Sequence, residues 1–377
     1  MAISTIGASA LDSGVSQLGK NLLINGSCPV AQRGSQSSVA SGYGAVDRWE
    51  MNALGGASAR YTLSQESSGG VGGNAKWAKV LVTTADASPG TNEAHYYGQK
   101  IEGFNAQSLL DASGDLLAST MSFDVIVHAD GASSISFPAT LAICVNDNGF
   151  ANQQYVKTFT VAAADTWQRV SVPIAANTSI VINNDNTNQF QVAFTIYSGT
   201  ARETTDATWG SAAGLDVSVS GVANLADATN NYLGITNVQL EVGSVATDFE
   251  HEPYSTTLAK CFRYFYRITE DSPFASTGAI FAFGSAAAGT NVVAQVQLPV
   301  PMRAVPSVAV SAATDISVVP DGTDNPIAVS LFGGAYGDTT HERVRLSFGL
   351  TGATQYRPYH VYLENGSAGW IHFVAEL

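Results

Sequence analysis

The chain has 377 residues, 17 Lys+Arg against 31 Asp+Glu and so a formal charge of −14, with 13% of residues charged and 45% hydrophobic. Such a length suits about two domains of ~100–200 residues, and the hydrophobic share excludes wholesale disorder. The acidic balance argues against nucleic acid or an anionic membrane as the main partner, and no apolar run approaches the ~20 residues of a membrane span.

The opening, MAISTIGASALDSG, has neither the basic nor the apolar region of a signal peptide. Leu11, Val15 and Leu18 recur at helical spacing, with Gly19 as a stop, which predicts a short N-terminal helix within residues 1–20. One stripe on so short a helix cannot bury itself. It packs on a partner or a second copy, or else the terminus frays.

From residue 21 to about 250 strands dominate. Met121, Phe123, Val125 and Val127 alternate with more polar neighbours. So do Leu141, Ile143 and Val145; Val170, Val172 and Ile174; Phe190, Val192, Phe194 and Ile196; and Val238, Leu240 and Val242. Period two predicts antiparallel strands with one face buried. Asn-rich turns such as 146–149 and 183–186 separate them, and the set predicts a jelly-roll β-sandwich over 21–252. Residues 253–269 break the pattern. Pro253 precedes Leu258, Cys261, Phe262 and Phe265 at helical spacing, with Ser255 or Thr256 as a cap, which predicts a helical or extended connector. Alternation returns over 270–377, at Val292–Leu298, Val308–Val310, Ile327–Leu331, Val344–Leu350, Val361–Leu363 and Ile371–Leu377, predicting a smaller β-sandwich. The fold class is therefore all-β. No 20–50-residue repeat is visible.

Three segments occur in a telling order: KNLLINGSCPVAQR from Lys20 with Val46-Asp47-Arg48-Trp49 after it, ITNVQLEVGSVATDFEHEPY from Ile235, and LAKCFRYFYR from Leu258. This set resembles the tail-fibre and related virion-surface proteins of bacteriophages over residues 20–267. Glu252 stands where that family commonly has Arg, and Phe265 where it commonly has a second Tyr. The resemblance implies a jelly-roll domain like carbohydrate-binding modules, usually in a homotrimer. It also implies a virion protein for host attachment, with residues 1–20 docking on other tail or head proteins and 270–377 as a distal receptor-binding domain. The alternatives are a decoration, head-fibre or adaptor protein without its own receptor, or a surface-polysaccharide hydrolase.

Catalytic signatures are missing: no G-x-S-x-G, H-E-x-x-H or P-loop is present. No pair of carboxylates is marked for glycoside cleavage, so the expectation is a binding protein, not an enzyme. His251 between Glu250 and Glu252 reads as a turn rather than a metal site. Cys28, Cys144 and Cys261 form no ligand or disulfide pattern and are expected as small buried residues. No cofactor is expected; structural calcium would fall to Asp147, Asp185, Asp321 or Asp324 in Asn/Gly-rich loops. Saccharide binding rests on aromatic rings, which offer a π-face to a pyranose. The candidates are Tyr96, Tyr97 and Trp209 in loop-like stretches, and Tyr336, Tyr356, Tyr359 and Trp370 near turns. Asp47 and Arg48 offer a local ion pair over Trp49, whose ring is expected to pack, since a strand begins there, the alternative being a ligand-stacking role; Phe249 is expected to plug the sandwich end. Phe262, Tyr264, Phe265, Tyr266 and Phe373 are expected at the subunit interface, because a short connector cannot bury so much aromatic surface.

Overall fold

The computed structural model describes residues 19–72, 75–147, 152–269, 279–320, 326–335, 337, 339–364 and 369–377. Leu11, Val15, Leu18, Asp321, Asp324 and Tyr336 lie outside them. The chain divides into two compact units, one running to Thr257 and taking in Leu377, the other Leu258–Glu376.

The first unit runs β1 (Gln36–Val39), β2 (Gly42–Tyr43), β3 (Glu50–Leu54), β4 (Arg60–Glu66), β5 (Trp77–Thr84), β6 (Ala94–Glu102), β7 (Ser119–His128), β8 (Ala139–Asp147), β9 (Gln153–Val161), β10 (Gln168–Ile174), β11 (Asn188–Ser198), β12 (Thr208–Ser211) and β13 (Tyr232–Val242). They form two antiparallel sheets, ordered β1-β4-β5-β13-β7-β10 and β12-β9-β8-β11-β6-β3-β2. Alternate residues of both sheets meet in one core, among them Tyr61, Val80, Phe123, Val125, Ile143, Phe194 and Ile235. This is the face-to-face packing that period-two patterning requires. Strands β7, β8, β10, β11 and β13 stand where alternation put them. Gly243, at φ +124°, ends β13 in a conformation that favours glycine.

The motif residues converge on one buried polar clasp. Asn21 donates its side-chain amide to the Val238 carbonyl (3.1 Å), and its Oδ1 accepts from the Leu23 (3.0 Å) and Leu240 (3.1 Å) amides. Asn25, at φ +62°, donates to the carbonyls of Val30 (2.9 Å) and Asp47 (3.0 Å) and accepts from the Val30 amide (3.0 Å). Glu250 accepts from the Asn21 amide (2.8 Å) and from the Gly19 amide, while its own amide donates to Gln239 Oε1 (2.8 Å). Glu241 holds Thr247 through its amide (2.8 Å) and hydroxyl (2.6 Å). Gly26 lies so close to β13 that a Cβ would sit 2.1 Å from the Val238 oxygen. Asp47 accepts from the Gln32 amide (2.9 Å) and side chain, and Arg33 lies 3.9 Å away. Arg48 donates to the Lys100 carbonyl (2.9 Å) and lies over Tyr43. Trp49 is fully buried, stacked on Tyr97. Phe249 is half-buried, edge-on to the exposed His251.

A helix, Tyr254–Phe262, spans the boundary and leads into the second unit, which holds β14 (Phe265–Thr269), β15 (Ala279–Ala288), β16 (Asn291–Gln297), β17 (Ser307–Val310), β18 (Ile316–Pro320), β19 (Ile327–Ala328), β20 (Leu331–Ala335), β21 (Arg343–Gly349), β22 (Pro358–Leu363) and β23 (Trp370–Val374). The helix starts at Tyr254, with Pro253 O accepting from the Thr256 and Thr257 amides, so Ser255 and Thr256 lie inside it rather than capping it. One sheet is β14-β23-β17, the other β19-β18-β22-β15-β16-β21-β20. Ile327–Leu331, expected as one strand, divides between opposite edges of the larger sheet. Val329 donates to Ile316 O and Ser330 to Gly349 O, so the sheet curls until its edges meet. Residues 265–269 are not connector: β14 pairs with β23 over five residues. The aromatics assigned to a subunit interface are mostly internal. Tyr264, Phe265 and Phe373 are buried, Phe262 is edge-on to Tyr266 (5.0 Å), and Tyr266 stacks on Phe373 (5.9 Å). They close the unit on itself because the strand pairing brings residues 264–266 beside 373–375.

All three cysteines are buried and outside any disulfide, and burial pushes the thiols of Cys28 and Cys144 up to about 12, leaving both inert. His95 is fully buried between Tyr61 and Tyr197, sharing a 2.9 Å hydrogen bond with the Tyr61 hydroxyl. Burial, reinforced by the Arg60 charge, lowers its pKa from 6.5 to about 4.

Two outcomes are expected. The unfolded chain regains an ordinary imidazole, so stability is full above pH ~6.5 and falls by on the order of 3 kcal/mol as the pH drops towards 4. His95→Gln should flatten that slope in urea unfolding; an unchanged slope would show that His95 does not titrate between the two states. Asn25→Ala should cost about 3 kcal/mol, from three lost hydrogen bonds and an unfavourable positive φ. Asn25→Gly, which tolerates that φ, should recover about 1 kcal/mol of it. A loss below about 1 kcal/mol for both would remove Asn25 as a determinant of the fold.

Candidate functional site

Inward residues of β5, β7 and β13 fill the core, so their alternates face outward. On β5 these are Trp77 and Lys79, on β13 Tyr232 and Gly234, and on β7 Ile126 and His128. The register sets Tyr232 beside His128, and Gly234 between Lys79 and Ile126. The glycine makes room for a ring: a Cβ there would lie 2.7 Å from a Trp77 ring carbon and 2.6 Å from Ile126 Cγ2.

The result is an aromatic platform. Trp167, from the loop before β10, meets Trp77 edge-on at 5.5 Å, and Trp77 lies 6.1 Å from Tyr232. His128 stacks on Tyr232 at 5.1 Å and 13°. Lys79 Nζ sits 4.5 Å from the Tyr232 ring centroid, a cation–π contact. Both indole N–H groups are committed to backbone, Trp77 to Ser68 O (2.8 Å) and Trp167 to Gly69 O (2.7 Å), which fixes the rings. Asp165, at φ +53°, brings Oδ1 to 2.8 Å from His128 Nδ1 and accepts from the Tyr232 hydroxyl at 3.4 Å. Burial, then the Asp165 charge, raises the Tyr232 phenol above its ordinary value, so it stays a hydroxyl. Trp77 is buried, whereas Trp167, Tyr232 and His128 are half-exposed and Asp165 is exposed. Rigid rings, a cation and a carboxylate together suit a ligand with a flat C–H face and hydroxyl groups.

The outer face of the other sheet is not open in the same way. After the edge strand β12, residues 212–219 fold back across β6, β8, β9 and β11. Thr195 Oγ1 donates to Val217 O, and Gln154 Oε1 accepts from the Asp216 amide (2.8 Å). Beneath lies a second small core of Ala94, Tyr96, Ala142, Cys144, Val156, Ala193 and Val217.

This placement corrects several sequence expectations. Tyr96 and Tyr97 are neighbours in a strand, not a loop; Tyr96 enters this second core and Tyr97 the main one, so neither ring reaches a ligand. Tyr359 is buried in the second unit, its hydroxyl accepting from the Thr354 amide (2.9 Å). Trp209 is half-buried against Tyr155, its indole donating to Ala175 O (2.8 Å). Trp370 stacks on His372 at 3.7 Å. Tyr356 is 81% exposed. The described calcium candidates serve their own loops. Asp147 accepts from the amides of Asn152 and Gln153 (both 2.9 Å), and Asp185 from Thr187, whose hydrogen bonds hold its carboxyl below the usual range. Among the described residues no group of three or more His, Cys, Asp or Glu could hold a metal ion, and no helix is long and apolar enough to cross a membrane. Sequence reasoning missed the platform because its residues come from four separate segments. The available signal was Trp77, outward by alternation with the buried Ala78, Val80 and Val82.

No family model matches the chain, and no curated protein does. Among solved structures, it is similar to the carbohydrate-binding module TmCBM61 solved with β-1,4-galactotriose, at 9% identity over 59% of this chain and 99% of that one, TM-score 0.27. It is also similar to the xylan-binding CBM22-1 domain of Paenibacillus barcinonensis Xyn10C, at 10% identity over 62% of this chain and 100% of that one, TM-score 0.29. The CBM22-1–CBM22-2 tandem of the same protein gives 8% identity over 96% and 98%, TM-score 0.30. At such TM-scores the likeness carries neither a shared site nor a shared ligand; the all-β assignment stands on the strand pairing itself.

Gly234→Ala should push Trp77 off its seat and cost about 1–3 kcal/mol by overpacking. Near-ultraviolet circular dichroism of the Trp77–Trp167 pair should change in parallel. An unaltered spectrum with full stability would mean the platform does not depend on this glycine.

Proposed function

We propose that this chain is a bacteriophage virion-surface fibre protein that attaches to the host by binding, without cleaving, a surface glycan. The observation that carries the binding reading is the platform of Trp167, Tyr232 and His128 beside Lys79 and Asp165. The ordered motifs from Lys20 to Arg267 support the virion role. In this reading residues 1–20 dock on tail or head proteins, the chain acts outside the cell after release, and the assembly is a homotrimer as in the resembling fibres. The connector aromatics no longer support the trimer, since the second unit buries most of them itself. That the motif residues serve folding favours one second reading, a decoration or adaptor protein without a receptor of its own.

Glycan-array and whole-cell binding by the purified protein test the proposal. Removing two stacking rings should cost about 2–3 kcal/mol, so Trp167→Ala/Tyr232→Ala should weaken binding at least about tenfold. No oligosaccharide should be released. Equal binding by both proteins would exclude the platform. No binding to any glycan or host cell would favour the adaptor reading.

A further inference from the structure

A separate cleft lies on the outer face of the larger sheet of the second unit. Its volume is about 660 Å³, within the range of small-ligand sites, and Phe283, Ser285, Gln295, Thr340, Arg343 and Arg345 are among its lining. The strand register explains the convergence. His360 pairs with Phe283, Phe283 with Gln295, and Gln295 with Arg345, so four outward side chains form one row across β22, β15, β16 and β21. Arg343 pairs with Gln297 and faces the same way, two residues along β21 from Arg345. The inward alternates Val344, Leu346 and Phe348 are fully buried, which fixes both arginines outward.

Phe283 is 65% exposed, unusual for a phenylalanine on a sheet, and its ring is braced edge-on by His360 at 4.9 Å. Among the described residues Arg343 has no ion-pair partner. A rigid apolar ring, an amide, hydroxyls and guanidinium groups thus share one cleft. Two strand spacings separate Phe283 from Arg345, about 10 Å.

We propose that this cleft binds an acidic saccharide, with a sugar ring on Phe283 and its carboxylate on Arg343 and Arg345. Guanidinium is the side chain best matched to a carboxylate, through paired N–H···O bonds. A long polyanion such as nucleic acid would meet the repulsion of a chain carrying −14; a short acidic saccharide brings only one to a few carboxylates, one of which the arginines hold. The ligand class rests on the glycan-binding reading above, but the site shares no residue with the first-unit platform.

Calorimetry on the full chain tests it, with oligogalacturonate, sialyllactose and a hyaluronan tetrasaccharide, each beside its carboxyl methyl ester. At least one acid should bind, and its ester should bind at least tenfold more weakly. Arg343→Gln/Arg345→Gln should abolish the preference for acid over ester, and Phe283→Ala should weaken binding of the acid at least fivefold. All three positions are exposed, so the fold should persist, with the unfolding midpoint as the check. Trp167→Ala/Tyr232→Ala should leave acid binding at this cleft unchanged. Equal affinity for acid and ester, acid binding retained in the arginine variant, or no binding of any acid would overturn the site. Neutral-glycan binding lost through the platform variant, with acid binding intact here, would separate the two sites.

Discussion

The first unit depends on a constraint that spans nearly its whole length: the side chains of Asn21 and Glu250 bind residues 19–23 to residues 238–250, with Gln239 holding Glu250 and Asn25 tying Val30 to Asp47. A neutral hydrogen bond nets only about 1 kcal/mol, but Asn25 is 3% and Gln239 0% exposed. A buried amide left unpaired costs more than the bond it loses. The network therefore works as a set: each member's desolvation is tolerable only while the others are in place. It also locates Gly26 against β13, where a side chain would not fit. The motif thus marks a closure of the fold rather than a ligand site.

The same principle separates what was legible in the sequence from what was not. Strands β7, β10 and β13 carry apolar residues at every second position towards the core, with polar residues such as Ser122, Asp124 and Ser171 on the other face. Strand β6 lies inside its sheet, with polar His95 and Gln99 alternating with the main-core residues Tyr97 and Ile101 on one face and apolar Ala94 and Tyr96 on the other. Ala94, Tyr96 and Tyr97 are buried along with His95, Gln99 and Glu102, so no apolar–polar alternation survives and the stretch reads as a loop. The connector aromatics misled for a related reason. Counting aromatic surface on a short segment assumes the segment packs alone, whereas β14 is completed by residues more than 100 positions later. The platform was illegible because its aromatic character belongs to a register, not to a run of sequence. Tyr232 meets His128 across a ladder, and neither residue marks the other along the chain.

The two candidate sites differ in kind. The platform on the first unit is held by committed indole N–H groups and by stacking, so what it presents is ring faces. The cleft on the second unit presents guanidinium groups beside one exposed ring. A chain with both would discriminate ligands by shape at one place and by charge at the other, and only the second would be weakened strongly by salt.

The position of β13 bears on how the protein is made. It lies between β5 and β7 in the first sheet, yet it spans residues 232–242. Until those residues leave the ribosome, β5 and β7 each present an unpaired edge, and the clasp that closes the unit has only its first half. Two open edges on a chain with low charge invite pairing with a neighbouring nascent chain. The long sequence separation of these contacts also slows the final closure. Synthesis of the first unit therefore passes through a vulnerable stage about 150 residues long, and it ends when a single central strand arrives.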